Sequence, residues 1–370
     1  MTQEKVTPLT LLQTYYDDPE ISQIYIDGYQ RVYVERKGQL ADIDSPFQDQ
    51  AQLLEGLGIL LADYGLKLDE SHPMVYVRLF DGTDLNIVGA PIALNGPAVT
   101  LRKRDPHQIT VDDLLKWGAW TPEMVQFLQA CVEGGLNVLI SGGYNSGKTT
   151  VLNLLANMIP HNERIILAQR ADDVTLSQPY HVVVETRPPN LGGKGAVSMR
   201  DLVENSYRMH PSRLIITELM GAEALPFVQA MNQGSKGNLA TIQGNSIRDA
   251  FAQLETLLTS ANPALPLTLV RTMMANSIDV IVQQSRMPDG SRKVTHITEV
   301  ESSRSEQLSL SDIFVYEEAD DATKPHTGQA TATGIVPQFL SILQARGVDL
   351  PISLFTPKPG TAAAKRAQSK

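Results

Sequence analysis

The chain has 370 residues, 42% of them apolar and 19% charged, with a formal net charge of -10 and a sequence pI near 5.2. At roughly 100–200 residues per domain this predicts two or three domains, and so acidic a surface repels phosphate backbones, which argues against a nucleic-acid partner. The single cysteine, Cys131, excludes an internal disulfide and suits a reducing cytoplasm; no leader-like stretch opens the sequence and no run nears the ~20 apolar residues that span a bilayer, so membrane contact is expected only through partner proteins.

Between residues 21 and 40, apolar runs broken by Gly28 and Gly38 alternate with polar residues (Ile24, Ile26, Val32, Val34), the pattern of a strand pair. Residues 52–66 carry Leu53, Leu54, Leu57, Leu60 and Leu61 at helical spacing. Runs at 74–80 and 84–88 flank Asp81-Gly82, a strong hairpin signal. Residues 1–105 therefore read as a small α+β domain ending in a basic linker, GPAVTLRKRD at 96–105. Thr110 followed by Asp113 marks a helix start. From 121 to about 300, apolar strands alternate with helical segments, which predicts an α/β domain with a mostly parallel sheet, placed at 106–310. Residues 311–356 read as a C-terminal appendage and 357–370, basic and Ala-rich, as a disordered tail.

Within the α/β domain the apolar run NVLIS at 137–141 passes directly into GGYNSGKTT at 142–150. Next comes VLNLLANMI, with Val151, Leu154, Leu155 and Met158 at helical spacing and Pro160 ending it. Strand, GxxxxGK[ST], helix is the context in which this motif forms a phosphate-binding loop, a P-loop. Gly142 and Gly147 let backbone N–H groups close on phosphate oxygens, and the helix N-terminus adds partial positive charge. Lys148 brings a point charge to the β and γ phosphates of ATP, and Thr149 offers a hydroxyl to Mg²⁺. Gly143, Asn145, Ser146 and Thr150 complete the expected nucleotide-binding set. The NKxD tetrapeptide of GTPases and the LSGGQ signature of transporter ATPases are absent. A second buried run, Leu214-Ile215-Ile216, ends in Thr217-Glu218; a carboxylate at the end of a strand beside the P-loop strand would meet Mg²⁺ and the attacking water, which makes Glu218 both a metal-site and a catalytic candidate.

The stretch 182–255, including RLIITELMGAEALPFVQAMNQGSKGNLATIQGNS, resembles the ATPases of type II and type IV secretion and of type IV pili, with a likeness to the tight-adherence (Tad, or Flp) pilus branch. IYIDGYQRVYVERKG at 24–38, GPAVTLRKR at 96–104, DGSRKVTHITEV at 289–300, SDIFVYE at 311–317 and TATGIVPQFL at 331–340 share the resemblance, which thus covers most of the chain. It implies a small α+β N-terminal domain followed by a RecA-like P-loop ATPase domain. It also implies a cytoplasmic hexamer that uses ATP and Mg²⁺ to drive pilin assembly or export through an inner-membrane platform protein.

Carried over residue by residue, the family pattern is met at Gly142, Gly147, Lys148 and Thr149, and by Glu218 as the acid ending the second strand. The family usually places Gly before that acid and Arg two residues after it; here stand Thr217 and Met220. Its acidic box, Glu-Asp, appears as Gln169-Arg170, with Asp173 as the later acid and Asp172 a spare carboxylate. Its ATIHANS appears as ATIQGNS, so Gln243 replaces a histidine; it can bond a γ-phosphate oxygen but cannot exchange a proton near neutral pH. Arg102, with Lys103, matches the linker that presents an arginine to nucleotide, and Arg208 matches the arginine ahead of the Glu218 strand; both are implied catalytic cations. Arg187 and Arg200 match basic positions of the connecting segment. Lost charge at 169 and reversed charge at 170 point to a slow or partner-dependent P-loop ATPase. The alternative is a catalytically weakened or regulatory ATP-binding ring subunit.

Overall fold

A computed structural model describes residues 6–36, 38–103, 109–170, 174–189, 193–301, 309–318 and 328–357. The chain divides into two units, Met1–Gln108 and Ile109–Lys370. In the first, short helices α1 (Pro8–Leu11) and α2 (Gln13–Tyr16) lead into β1 (Ile21–Asp27), which pairs antiparallel with β2 (Arg31–Arg36). The alternation sets Ile24 opposite Val34 and Ile26 opposite Val32, all four buried. β3 (Gln39–Ile43) pairs the outer side of β2. Helix α3 (Gln50–Ala62) begins two residues earlier than the leucine spacing indicates, because Asp49 caps it by accepting the Gln52 N–H at 2.8 Å. It ends short of Leu66, because Gly65 turns the chain with a φ of 66°. Asp81-Gly82 forms the expected turn between β4 (Met74–Arg78) and β5 (Asp84–Val88). With β6 (Ala98–Arg102) these make an antiparallel six-stranded sheet, ordered β3-β2-β1-β6-β5-β4. Leu53, Leu57 and Leu61 of α3 pack on its inner face against Ile24, Val34, Leu85, Ile87 and Val99. Each such buried side chain contributes about 1.5–3 kcal/mol.

The second unit opens with α4 (Val111–Lys116), started by the reciprocal cap that Thr110 and Asp113 predict, and α5 (Pro122–Glu133). There follow β7 (Val138–Gly142), α6 (Lys148–Ala156), β8 (Ile165–Gln169), β9 (His181–Glu185), α7 (Met199–Arg208), β10 (Arg213–Leu219), α8 (Ala224–Asn232) and β11 (Leu239–Gln243). Helices α9 (Ile247–Ala261) and α10 (Leu267–Ser277) then lead to β12 (Val280–Arg286), β13 (Arg292–Glu301), β14 (Ser309–Glu318), β15 (Gly328–Ala332) and α11 (Leu340–Ala345). The nine strands form one sheet in the order β15-β14-β13-β12-β7-β11-β10-β8-β9. From β12 to β9 every pairing is parallel; from β12 outward to β15 every pairing is antiparallel. β7 is buried along its whole length, with Val138 and Ile140 in one core layer and Leu139 in the other, as expected of a central strand covered on both faces.

The stretch 311–356, read from the sequence as an appendage, belongs to this second unit. It supplies β15 and most of β14 to the sheet, and its Phe314, Phe339 and Phe355 surround Phe127 of α5 with ring centroids 5.5, 6.1 and 5.9 Å away. Glu299 of β13 ties down the same segment by accepting the backbone N–H groups of Gln338 (3.1 Å) and Phe339 (3.2 Å); burial pushes its carboxyl above the usual range, against the pull of those two donors. The sequence pattern misses this because only Ile313 and Phe314 of β14 are buried, too short a run to show that the strand extends a central sheet. Residues 358–370, nearly all of the expected tail, lie outside the described residues. Phe127→Ala should cost about 3–5 kcal/mol of stability by emptying the centre of that aromatic cluster, read as a lower denaturation midpoint. A midpoint shifted by less than 1 kcal/mol would show that the C-terminal segment does not pack on α5.

Candidate nucleotide-binding site

The parallel strands β12, β7, β11 and β10 bring their C-terminal ends to one edge of the sheet, where ligands of such folds bind. There β7 ends at Gly142, the chain turns through 143–147, and α6 starts at Lys148. The turn requires left-handed backbone at Asn145 (φ 58°) and at Gly147 (φ 94°), the cap of α6. Glycine adopts this without cost, and asparagine tolerates it better than most residues. At Gly142 the need is for space: a Cβ there would lie 2.6 Å from the backbone oxygen of Gln284 on β12. Ser146 Oγ closes the turn by donating to the Gly143 carbonyl at 2.9 Å. Because Gly147 has no side chain to cap α6, the first-turn N–H groups, which include those of Thr149 and Thr150, point out of the helix end without a side-chain acceptor. That is a donor set for an anion.

Lys148 Nζ donates to the Gly143 carbonyl at 3.1 Å and stands 3.7 Å from Glu218 Oε1. The pair is long, and although Lys148 is only 11% exposed the Glu218 side chain is about a third exposed, so an anion that reaches the lysine can take the carboxylate's place. Glu218 does not lie on the strand beside β7, as the sequence reading had it; β11 intervenes. It still reaches Lys148. The register of β10 on β11 shifts between Ile216 and Leu219, and Thr241 of β11 holds the Thr217 carbonyl, an irregularity of the kind that re-aims a side chain at a strand end. Among the described residues no group of three or more His, Cys, Asp or Glu side chains gathers to hold a metal. The Thr149 hydroxyl and Glu218 carboxylate are nevertheless the hard oxygen donors that suit Mg²⁺, which takes one or two protein ligands beside phosphate and water.

The altered boxes are built into local structure. Gln169 is buried at the end of β8, where its Nε2 donates to Glu185 Oε2 of β9 at 3.2 Å. Arg170, read from the sequence as a reversed charge near the nucleotide, donates to the Glu218 backbone carbonyl at 2.9 Å and to Glu223 Oε1 at 3.0 Å, so its charge is paired with a buried carboxylate. Asp172 and Asp173 fall outside the described residues. Gln243 is exposed at the end of β11, in register with Gly142.

The arginines are less concentrated. Arg208 is exposed in the last turn of α7, at the end of β10 opposite Glu218, and the structure does not bring it to the loop. Arg200 pairs with Glu204 at 2.8 Å, and the Arg187 backbone bridges Val197. In the first unit Arg102 is exposed, whereas Lys103 turns inward to donate to the carbonyls of Tyr16 and Asp18.

Sequence reasoning missed three groups at the loop and one in the turn after β10. Asn245 Oδ1 lies 2.7 Å from where a Cβ of Gly143 would stand, and Arg292 Nε donates to the Asn145 carbonyl at 3.0 Å. Gln284 underlies Gly142, and Glu223 pairs with Arg170. Asn245 and Arg292 sit inside ATIQGNS and DGSRKVTHITEV, but only the sheet order places those segments beside β7.

Gln169→Glu would set a second carboxylate against Glu185 in a buried position. It should cost about 1–3 kcal/mol at neutral pH, read as a lower melting midpoint. A variant as stable as the parent would contradict the Gln169–Glu185 contact.

A family model for the type II/IV secretion system protein matches residues 9–326. An uncharacterised protein of Methanocaldococcus jannaschii is 33% identical over 242 residues, which are 63% of this chain but only 33% of that protein's length. The type IV secretion system protein VirB11 of Bartonella henselae is 25% identical over 329 residues, covering 79% of this chain and 92% of VirB11. The solved structure of the Legionella pneumophila ATPase DotB aligns with a TM-score of 0.57 at 15% identity, over 82% of this chain and 83% of DotB, a likeness of fold. The family match begins in α1 and runs past β14, so it takes in the α+β unit, the loop at 142–150 and the strand that ends in Glu218, and on that span the chain belongs to the type II/IV secretion system protein family.

Proposed function

We propose that this chain binds ATP with Mg²⁺ at the 142–150 loop and hydrolyses it as a hexameric motor of a Tad-like pilus or type II/IV secretion machine. It works on the cytoplasmic side of the inner membrane, against a platform protein. The observation that carries the reading is the pairing of Lys148 with Glu218 across the mouth of the loop. The loop amides and Lys148 hold the β and γ phosphates, and the Lys148–Glu218 pair opens as phosphate takes the lysine. Glu218, thereby freed, orients the attacking water. The Thr149 hydroxyl and the Glu218 carboxylate would hold Mg²⁺, which would supply charge neutralisation on the phosphate oxygens. Gln243 reads the terminal phosphate by hydrogen bonding. Arg102 and Arg208, both exposed, are the cations that this reading assigns to the transferred charge.

The second reading, a weakened or regulatory ring subunit, draws on Gln169 and Gln243, neither of which exchanges protons near neutral pH. Turnover by the parent separates the readings, and two variants test the site they share. Lys148→Ala should abolish tight binding of a labelled ATP analogue. Glu218→Gln should keep that binding but slow turnover about 10²–10⁴-fold. Unchanged analogue affinity in Lys148→Ala would sink the loop assignment. A parent chain that binds ATP, forms a ring by light scattering and does not turn over would favour the regulatory subunit.

A further inference from the structure

We infer that Arg170 is a positioning residue for Glu218, supplied from the end of the neighbouring strand β8 to lock the turn that carries the carboxylate. The inference rests on the catalytic reading of Glu218 above. Arg170 Nη1 donates to the Glu218 carbonyl at 2.9 Å, and Nη2 donates to Glu223 Oε1 at 3.0 Å. The same Glu223 oxygen accepts the backbone N–H groups of Met220 at 2.8 Å and Gly221 at 3.0 Å. A closed circuit therefore runs from the carbonyl of Glu218 through the guanidinium and carboxylate to the amides two and three residues on. On the other side of Glu218, Thr241 holds the Thr217 carbonyl. With the backbone held on both sides, the Glu218 carboxylate keeps only side-chain torsions with which to move between Lys148 and a reacting water.

The chemistry needs a guanidinium. Its planar fork serves two acceptors of different kinds at once, and a point-charge ammonium cannot span both. Glu223 is 3% exposed, so its charge requires a cationic partner inside the fold, and Arg170, with about a third of its side chain exposed, meets it at the rim. Arg170, just past the end of β8, closes on the turn from the side, and an acid at 170 would stand against buried Glu223.

The test is steady-state ATP turnover, Mg·ATP-analogue affinity and thermal melting of the full chain, with Arg170→Lys and Arg170→Ala each made alone and on a Glu218→Gln background. Arg170→Lys keeps a cation beside Glu223 and should melt near the parent, while Arg170→Ala melts lower. Both should lose about 10²-fold in kcat, the scale of a misplaced catalytic group, with analogue affinity little changed. On the Glu218→Gln background neither should lose more, because the arginine acts through the glutamate. Parental turnover in Arg170→Lys, or a loss of equal size on both backgrounds, overturns the inference. A parent that does not turn over, or a Glu218→Gln variant as fast as the parent, removes the catalytic reading and this inference with it, an outcome distinct from either of those.

Discussion

A chain can pass this closely from strand to helix only where no side chain intervenes, and this governs the edge of the second unit. Gly142 emerges from β7 with the Gln284 carbonyl of β12 so close that a single methyl group would collide with it. Gly147 caps α6 in a conformation that L side chains rarely adopt. Between these two residues the chain must reverse in four, and the Ser146–Gly143 and Arg292–Asn145 contacts hold that reversal from inside and outside. The fully buried strand behind it makes the loop a fixed anvil: Val138, Leu139 and Ile140 interlock with both core layers and cannot shift without opening them.

Charge at this edge is divided between contacts made to break and contacts made to last. The Lys148–Glu218 pair is long, 3.7 Å, and its carboxylate is about a third exposed, which makes it the looser of the two. The Arg170–Glu223 pair is shorter, one partner is buried, and it is knitted to three backbone groups, so breaking it strands a carboxylate inside the fold. Gln169 follows the same logic by donating to Glu185 where a second acid would repel it.

The remaining structure keeps these strand ends in register. Phe127 and its three aromatic neighbours, with Glu299 holding the start of α11, fasten the C-terminal segment over the face of the sheet that α5 and α6 also cover. In the first unit the alternation of β1 and β2 and the leucines of α3 build a separate core, and Lys103 spends its charge on that unit's own chain while Arg102 stays exposed.

Local pattern was enough for much of this. The strand, tight turn and helix at 138–156, the hairpin at Asp81-Gly82, the Thr110 cap and the α/β alternation were all legible in the sequence, because each depends on residues within a few positions of one another. What could not be read there depends on which strands become neighbours. That β11 lies between β7 and β10, that Arg170 meets Glu223 rather than a phosphate, that Arg208 ends at the far side of the sheet, and that Arg292 and Asn245 touch the loop all follow from strand order. Strand order is decided by burying two apolar faces at once and by the handedness of the crossovers, and neither is encoded in any short run of residues.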